Sequence, residues 1–255
     1  MALVSLYCAV CGMQNSPQSR LCSRCAAPLP VSLSPPAGQG GTMAQPVSMV
    51  PDTMLKQRYV ILERLGRGGM GAVYKAADTE LGSAFRAVKE MRRLYLHPQE
   101  SPEEATEAFK REALMLADLR HQSLPRIYDH FHEQGHWYLV MDYIEGANLE
   151  DYLKAKGGRL SIAEVLEIGL QLCNVLEYLH TRQPAIIFRD LKPSNIMRTR
   201  DGHIYLIDFG IARIFKKGQA KDTSVFVSYG YAAPEQYSGL QTTPQADIYS
   251  LGATL

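Results

Sequence analysis

The chain has 255 residues, of which 46% are hydrophobic and 21% are charged. This length and composition allow one large globular domain with a sizeable core and a small appendage. The 27 basic and 26 acidic residues leave a formal net charge of +1, so no overall field indicates nucleic acid or an anionic membrane as a partner. No stretch reaches the roughly 18 apolar residues of a membrane-spanning helix, and the apolar start lacks the basic residues of a secretory signal.

Four of the five cysteines lie in the first 25 residues as two C-x-x-C pairs. Each pair places two thiolates on a tight turn, and the ten-residue gap between the pairs lets four sulfurs converge on one zinc ion. The four candidate ligands are Cys8, Cys11, Cys22 and Cys25. Two disulfides or free thiols are the alternatives. Residues 1–25 therefore resemble a compact zinc ribbon, in which structural Zn²⁺ supplies folding energy that so few apolar residues cannot.

A change of composition separates this head from the rest of the chain. Residues 26–54 are rich in Pro, Gly and Ser and contain one charged residue, Asp52, which is typical of a linker. From Tyr59 onward the chain shows β-type runs, YVILERLG, GAVYKAADT and AFRAVKEM, separated by turns that contain glycine. They predict the first three strands of an antiparallel sheet.

Helical and β-type segments alternate after these strands. Residues 103–119 have the apolar spacing of one amphipathic helix. The runs RIYDHFHEQ and HWYLVMDYI predict two further strands. Ile162–His180 is predicted to be a long helix that begins with a capping box of Ser161 and Glu164. Cys173, on an apolar face of that helix, is predicted to belong to the core.

Several short motifs carry the chemistry. The string GRGGMGAV (66–73) lies between two predicted strands, and its glycines let backbone amides approach phosphate oxygens. A dinucleotide-binding fingerprint would need a helix next, whereas a strand follows here. Lys89 lies in the third strand, with Glu112 on the next helix as its candidate partner. FRDLKPSN (188–195) and DFG (208–210) follow in the order that phosphoryl transfer requires.

Together with GYAAPEQY, these motifs resemble the protein kinase family, in particular its bacterial serine/threonine branch, from Tyr59 to the end. The resemblance implies an α+β, bilobal domain over 55–255. An N-lobe of antiparallel sheet plus one helix would occupy about 55–141 and a hinge about 142–147. A mainly helical, incomplete C-lobe would occupy about 148–255.

The resemblance implies a serine/threonine protein kinase that transfers the γ-phosphate of ATP to protein hydroxyls, with Mg²⁺ or Mn²⁺ as the metal. Asp190 would accept the proton of the substrate hydroxyl, and Lys192 would lie near the γ-phosphate. The string DLKPSN is similar to the serine/threonine subclass, whereas tyrosine kinases carry Arg and Ala in this stretch. Protein substrates are therefore the expected partners, and the reducing cytoplasm is the expected compartment.

The family also implies how the nucleotide is held. Lys89 would bind the α- and β-phosphates and would be oriented by Glu112, while Asn195 and Asp208 offer hard oxygen ligands for Mg²⁺. The glycine-rich loop, the adenine slot and the hinge would supply the other ATP-binding residues: Leu65, Gly66, Arg67, Gly68, Gly69, Met70, Gly71, Val73, Ala87, Met141, Asp142 and Ile144.

An activation loop is expected over about 211–232. Arg189 precedes Asp190, and kinases with this pair commonly bind a loop phosphate through the arginine. Thr223 and Ser224 are the candidate phosphorylation sites. Ser228 aligns with a substrate-binding threonine of the family and is placed in the substrate lip.

Two departures from the family pattern keep other functions open. Phe188 replaces a histidine, and we expect it to pack in the same place with the loss of a hydrogen bond. The chain ends soon after ADIYSLG (246–252), whose Asp247 resembles a residue that braces the catalytic loop, so we expect a fragment. A pseudokinase or ATP-binding scaffold, an inactive fragment, or a module that recruits a partner through the zinc head are the alternatives.

Overall fold

The computed structural model describes residues 6–7, 14–15, 49–68, 71–91, 110, 113–208, 213–214 and 227–255. The chain divides into two compact units, Met1–Val47 and Ser48–Leu255. In the first unit, strand β1 (Leu6–Tyr7) pairs antiparallel with β2 (Gln14–Asn15). Residues 49–54, which composition assigns to the linker, belong to the larger unit.

A six-stranded antiparallel sheet forms the first half of the larger unit. Its order is β3-β4-β5-β6-β8-β7. The strands are β3 (Met54–Leu55), β4 (Tyr59–Gly68), β5 (Gly71–Asp78), β6 (Ala84–Met91), β7 (Ile127–Glu133) and β8 (His136–Asp142). The five strands predicted from alternation are therefore confirmed.

The sheet is curled, so that side chains from its two edges meet. Lys56, just after β3, donates to the Asp129 carboxylate of β7 at 2.7 Å. The Tyr59 hydroxyl donates to the same carboxylate at 3.0 Å, and its ring stacks on Phe131. Burial raises the pKa of the Tyr59 phenol, which keeps the hydroxyl a donor. The concave side of the curl is filled by buried apolar side chains such as Ile61, Tyr74, Val88 and Val140.

A short helical segment over residues 113–117 packs against this sheet. Ala113 is buried there in a cluster with Met91 of β6 and Leu139 of β8. Residue 110 is also helical, whereas 103–109, the start of the predicted helix, lie outside the described residues. The described part thus agrees with a helix packed on the sheet.

The second half of the unit is mainly helical and encloses a separate core. Its helices are α1 (Leu149–Ala155), α2 (Ile162–His180), α3 (Pro234–Tyr237) and α4 (Pro244–Thr254). Short strands β9 (Ala147–Asn148), β11 (Ile196–Arg198) and β12 (Ile204–Leu206) form one small sheet, and β10 (Ile186–Ile187) pairs with β13 (Arg213–Ile214).

Helix α2 has the predicted bounds and the predicted capping box. The Ser161 hydroxyl accepts from the Glu164 amide at 3.2 Å, and the Glu164 carboxylate accepts from the Ser161 amide at 3.1 Å. These bonds satisfy amides that the first helical turn leaves unpaired. The hydrogen bond from the Ser161 backbone is the main reason that the pKa of the Glu164 carboxyl falls to about 2.

The prediction for Cys173 is wrong, because this side chain is exposed. Helix α2 buries Leu172, Leu176 and Leu179 in the core of the helical half. Apolar residues also occupy a second side of the helix, where Leu170 is 68% exposed. Cys173 follows Leu172 by one residue, a rotation of about 100° away from the buried stripe. Among the described residues, none of the helices combines the length and the hydropathy of a membrane span.

Candidate active site

The Asp190 carboxylate lies at the centre of a dense polar cluster between β10 and β11. The Ser228 hydroxyl donates to Asp190 Oδ1 at 2.5 Å. Lys192 Nζ donates to Asp190 Oδ2 at 2.9 Å and to Ser228 Oγ at 2.8 Å. The side-chain amide of Asn195 also donates to Asp190 Oδ2, from Nδ2 at 2.8 Å. The Lys192 ammonium and the Asn195 side-chain amide thus orient the carboxylate through Oδ2, while Oδ1 accepts a hydrogen bond from the Ser228 hydroxyl.

The Asp247 carboxylate of α4 holds the backbone just before Asp190. It is fully buried and accepts from the Phe188 amide at 2.8 Å and from the Arg189 amide at 2.7 Å. His180 Nε2, at the end of α2, lies 2.7 Å from it. Arg189 has a φ of 70°, a conformation that costs energy in a residue other than glycine. Gln236 donates to the Arg189 carbonyl at 3.0 Å, so this backbone is fixed from both sides.

Phe188 is fully buried in the core of the helical half, as expected from the sequence. His180 and Gln236 were not identified as site residues from the sequence. Each lies far along the chain from its partner, 67 residues for His180 and 47 for Gln236. Such separations carry no periodicity or motif that could have indicated the contacts.

The two candidate metal ligands lie on neighbouring segments. The Ile207 amide donates to the Asn195 carbonyl at 2.9 Å, which places Asp208 beside the Asn195 segment. The Lys89 ammonium, from β6 in the sheet, forms an ion pair with the Asp208 carboxylate. Lys89 is 6% exposed and Asp208 is 38% exposed, so the carboxylate retains access to solvent. Glu112, the predicted partner of Lys89, lies outside the described residues.

The glycine-rich segment forms the end of the β4–β5 hairpin. Gly66 pairs with Val73, and Gly68 pairs with Gly71. A side chain on Gly71 would overlap the Glu90 carbonyl of β6, and its φ of 152° also favours glycine. Leu65 and Arg67 are exposed, while Gly69 and Met70 lie outside the described residues. The glycine at position 71 is therefore explained by close packing against β6, and the approach of the loop amides to phosphate stays a prediction.

The predicted adenine slot lies across β5, β6 and β8. Val73 is opposite Lys89 in the β5–β6 ladder, and Ala87 is opposite Met141 in the β6–β8 ladder. Ala87 is buried, whereas Met141 and Val73 are half-buried. The register therefore brings the predicted slot residues onto neighbouring strands beside Lys89.

The chain leaves β8 through Asp142 and the half-buried Ile144. Asp142 is tied to the start of β7, because its carboxylate accepts from the Arg126 amide at 2.9 Å and from the Tyr128 hydroxyl at 2.8 Å. The bond to Asp142 raises the pKa of the Tyr128 phenol. The first residue of the predicted hinge, Asp142, is thus held in place by two hydrogen bonds to the segment around the start of β7.

The candidate phosphorylation sites Thr223 and Ser224 lie outside the described residues, as do the four zinc-ligand candidates. Strand β13 and residues 227–232 are the described parts of the predicted activation loop. No group of three or more metal-ligating side chains occurs in the part of the chain that the structure describes.

Residues 59–255 match the protein kinase domain. The chain therefore belongs to the protein kinase family. It is 34% identical over 199 residues to the probable serine/threonine-protein kinase PknB of Lactococcus lactis, and the aligned region covers 78% of this chain and 31% of that protein. It is 37% identical over 215 residues to serine/threonine-protein kinase C of Synechocystis, and the aligned region covers 81% of this chain and 39% of that protein. It is 38% identical over 199 residues to serine/threonine-protein kinase PrkC of Bacillus subtilis, and the aligned region covers 78% of this chain and 30% of that protein.

The chain thus has several bacterial relatives named as serine/threonine protein kinases. It spans between 31% and 39% of the length of the first two of them. Protein kinases as a family use ATP with Mg²⁺ and act on protein substrates.

Proposed function

We propose that this chain carries the catalytic centre of a serine/threonine protein kinase, which transfers the γ-phosphate of ATP to a serine or threonine hydroxyl in the cytoplasm. The contact between Ser228 Oγ and Asp190 Oδ1, at 2.5 Å, supports this most directly. It shows that the Asp190 carboxylate accepts a hydrogen bond from an aliphatic hydroxyl. A substrate hydroxyl presented to the same oxygen would meet a positioned proton acceptor.

The proposed reaction follows from this arrangement. The oxygen of the substrate hydroxyl forms a bond to the γ-phosphorus, the bond from that phosphorus to the β–γ bridging oxygen breaks, and ADP leaves with the bonding electrons. The hydroxyl proton passes to the Asp190 carboxylate. Lys192, 2.9 Å from that carboxylate, supplies a positive charge where negative charge spreads over the transferred group.

The residues near Asp208 fit a magnesium nucleotide. Asp208 and Asn195 bring hard oxygen atoms onto adjacent segments, and the ammonium of Lys89 reaches the same place. Magnesium held there would neutralise phosphate charge. The roles proposed for this chain are that Asp208 and Asn195 hold the metal, Lys89 binds the phosphates, and the β4–β5 hairpin covers them.

Purified protein incubated with magnesium and γ-labelled ATP is expected to label a generic basic protein substrate. Acid hydrolysis of the product should release phosphoserine or phosphothreonine, because the Asp190 to Asn195 segment has the serine/threonine pattern. Label on tyrosine only would contradict the proposed acceptor class.

A pseudokinase that binds nucleotide without transfer is the second candidate, and the replacement of the family histidine by Phe188 motivates it. Phe188 is buried, and its amide keeps the bond to Asp247. The loop that carries Asp190 is therefore supported without that histidine. Nucleotide binding without any transfer of label would favour the pseudokinase.

We also propose that Cys8, Cys11, Cys22 and Cys25 hold one structural zinc ion. The pairing of β1 with β2 supports this, because the first C-x-x-C pair falls in the six residues between the two strands, and the C-x-x-C spacing is common among the ligands of structural zinc sites. A partner recruited through this head would be a function separate from phosphoryl transfer.

The zinc content of the purified chain is expected to be about one ion per molecule, following from tetrahedral Cys₄ coordination. Changing Cys8 and Cys22 to Ser should abolish it while phosphoryl transfer remains. Cys173→Ser is the matched control, since this exposed thiol lies in α2. Metal-free protein with two disulfides, or zinc retained in the double variant, would refute the site.

If the head recruits a partner, the double variant should also fail to capture that partner.

A further inference from the structure

A lysine and two aromatic rings meet where the chain leaves β8. Lys75 Nζ of β5 lies 4.3 Å from the ring centroid of Phe85, on β6, and 4.6 Å from that of Tyr143. The two rings also contact each other edge to face, with centroids 6.2 Å apart. These three side chains, here called the Lys75 cluster, connect two strands of the sheet to the predicted hinge.

The register shows on which side of the sheet this cluster lies. Burial alternates along β5, and Lys75 shares the less buried face with Val73. Lys75 is opposite Ala87 in β6, and Ala87 is opposite Met141 in β8. The cluster therefore adjoins the predicted adenine slot at the end of the sheet from which the hinge departs.

The chemistry of the cluster suits a fixed contact. The Lys75 side chain is only 19% exposed, so its ammonium is partly removed from water, which strengthens its attraction to the ring faces. Glu63 of β4, at 3.8 Å, extends the connection to the other strand of the glycine-rich hairpin. Phe85 is 51% exposed, a position where an aromatic residue gains little from burial alone.

We infer that the Lys75 cluster sets the spacing between the β4–β5 hairpin and residues 142–147, and so acts as a positioning determinant of nucleotide affinity. This inference rests on the proposed ATP-binding function. The hairpin would cover the nucleotide from one side and the hinge would contact the base from another, so the cluster fixes two walls of one slot. Preorganised walls bind more tightly because less ordering is left for the binding step.

Lys75→Met keeps the length of the side chain and removes its charge. It is expected to raise the Kd values of ATP and ADP together by about three- to tenfold, since a partly desolvated cation–π contact has this order of strength. KM for ATP should rise in parallel, while kcat stays within about twofold because Asp190 and Lys192 are untouched. Lys75→Arg, which retains a cation over the rings, should restore most of the affinity.

Lys154→Met is the matched control, because Lys154 forms an exposed ion pair with Glu150 on α1. Affinity is measured by fluorescence titration with labelled ATP and ADP, alongside the melting temperature of each variant. If Lys75→Met does not fold, Phe85→Leu and Tyr143→Leu should each show the same rise for both nucleotides.

Unchanged Kd values in Lys75→Met, or in both ring variants, would overturn the inference. A rise for ATP without one for ADP would also overturn it, since it would indicate direct contact with the γ-phosphate. If the wild-type chain binds both nucleotides but transfers no phosphate, the proposed kinase function fails while the inference remains testable by the same titrations. A wild-type chain that binds neither nucleotide contradicts both.

Discussion

Asp190→Asn is expected to lower the rate of phosphoryl transfer by about 10²- to 10⁴-fold, the contribution typical of a positioned general base. The amide is nearly isosteric with the carboxylate and can still accept a hydrogen bond from a hydroxyl. It cannot take up the proton, and it offers no negative charge to Lys192 at 2.9 Å. Single-turnover measurements with labelled ATP would record the loss.

The affinity for ATP should change little in this variant, because Lys89 and Asp208 lie on other segments. Asp118→Asn, at an exposed position after the helical segment 113–117, is the matched control and should transfer phosphate like the wild type. Equal rates in the wild type and Asp190→Asn would remove the proposed base from the mechanism. Equal absence of transfer from both would instead favour a pseudokinase.

Asp247→Ala is expected to reduce the free energy of unfolding by about 3 to 5 kcal/mol. Two backbone amides, of Phe188 and Arg189, lose their buried acceptor, and so does His180. Each unsatisfied buried donor costs about 1–3 kcal/mol, and removing one member of a buried polar cluster is similarly costly. Because single domains are stable by only about 5–15 kcal/mol, urea unfolding should show the effect clearly.

Asp118→Ala provides the exposed control and should unfold within about 0.5 kcal/mol of the wild type, as surface substitutions usually do. If Asp247→Ala does not fold, Asp247→Asn keeps one acceptor oxygen and should give a smaller loss of stability. A wild-type midpoint for Asp247→Ala would show that Asp247 is not needed to hold the backbone before Asp190.

Local periodicity and turn chemistry predicted the elements that carry the site. Strand β6 and helix α2 have the bounds expected from AFRAVKEM and from the Ser161–Glu164 capping box. These elements depend on residues close together in the chain, so a single sequence contains the information. The placement of Cys173 failed for the opposite reason, because α2 is apolar on two sides and only tertiary packing selects the one that is buried.

The chemical motifs were also determined by the sequence alone, since Lys89, Asp190, Asn195 and Asp208 follow one another in the order that phosphoryl transfer requires. Only the tertiary fold brings these residues close together in space. The Lys89–Asp208 pair spans 119 residues, and the Asp190–Ser228 contact spans 38.

The residues that hold the candidate site in place could be identified only from the tertiary structure. His180, Gln236 and the Lys75 cluster act through contacts between separate elements. A hydrogen bond or a cation–π contact between distant residues imposes no periodicity on either segment. The identity of the chemistry is therefore readable from the order of residues, whereas the geometry that would make it efficient depends on how the sheet curls and how α4 packs beneath the loop.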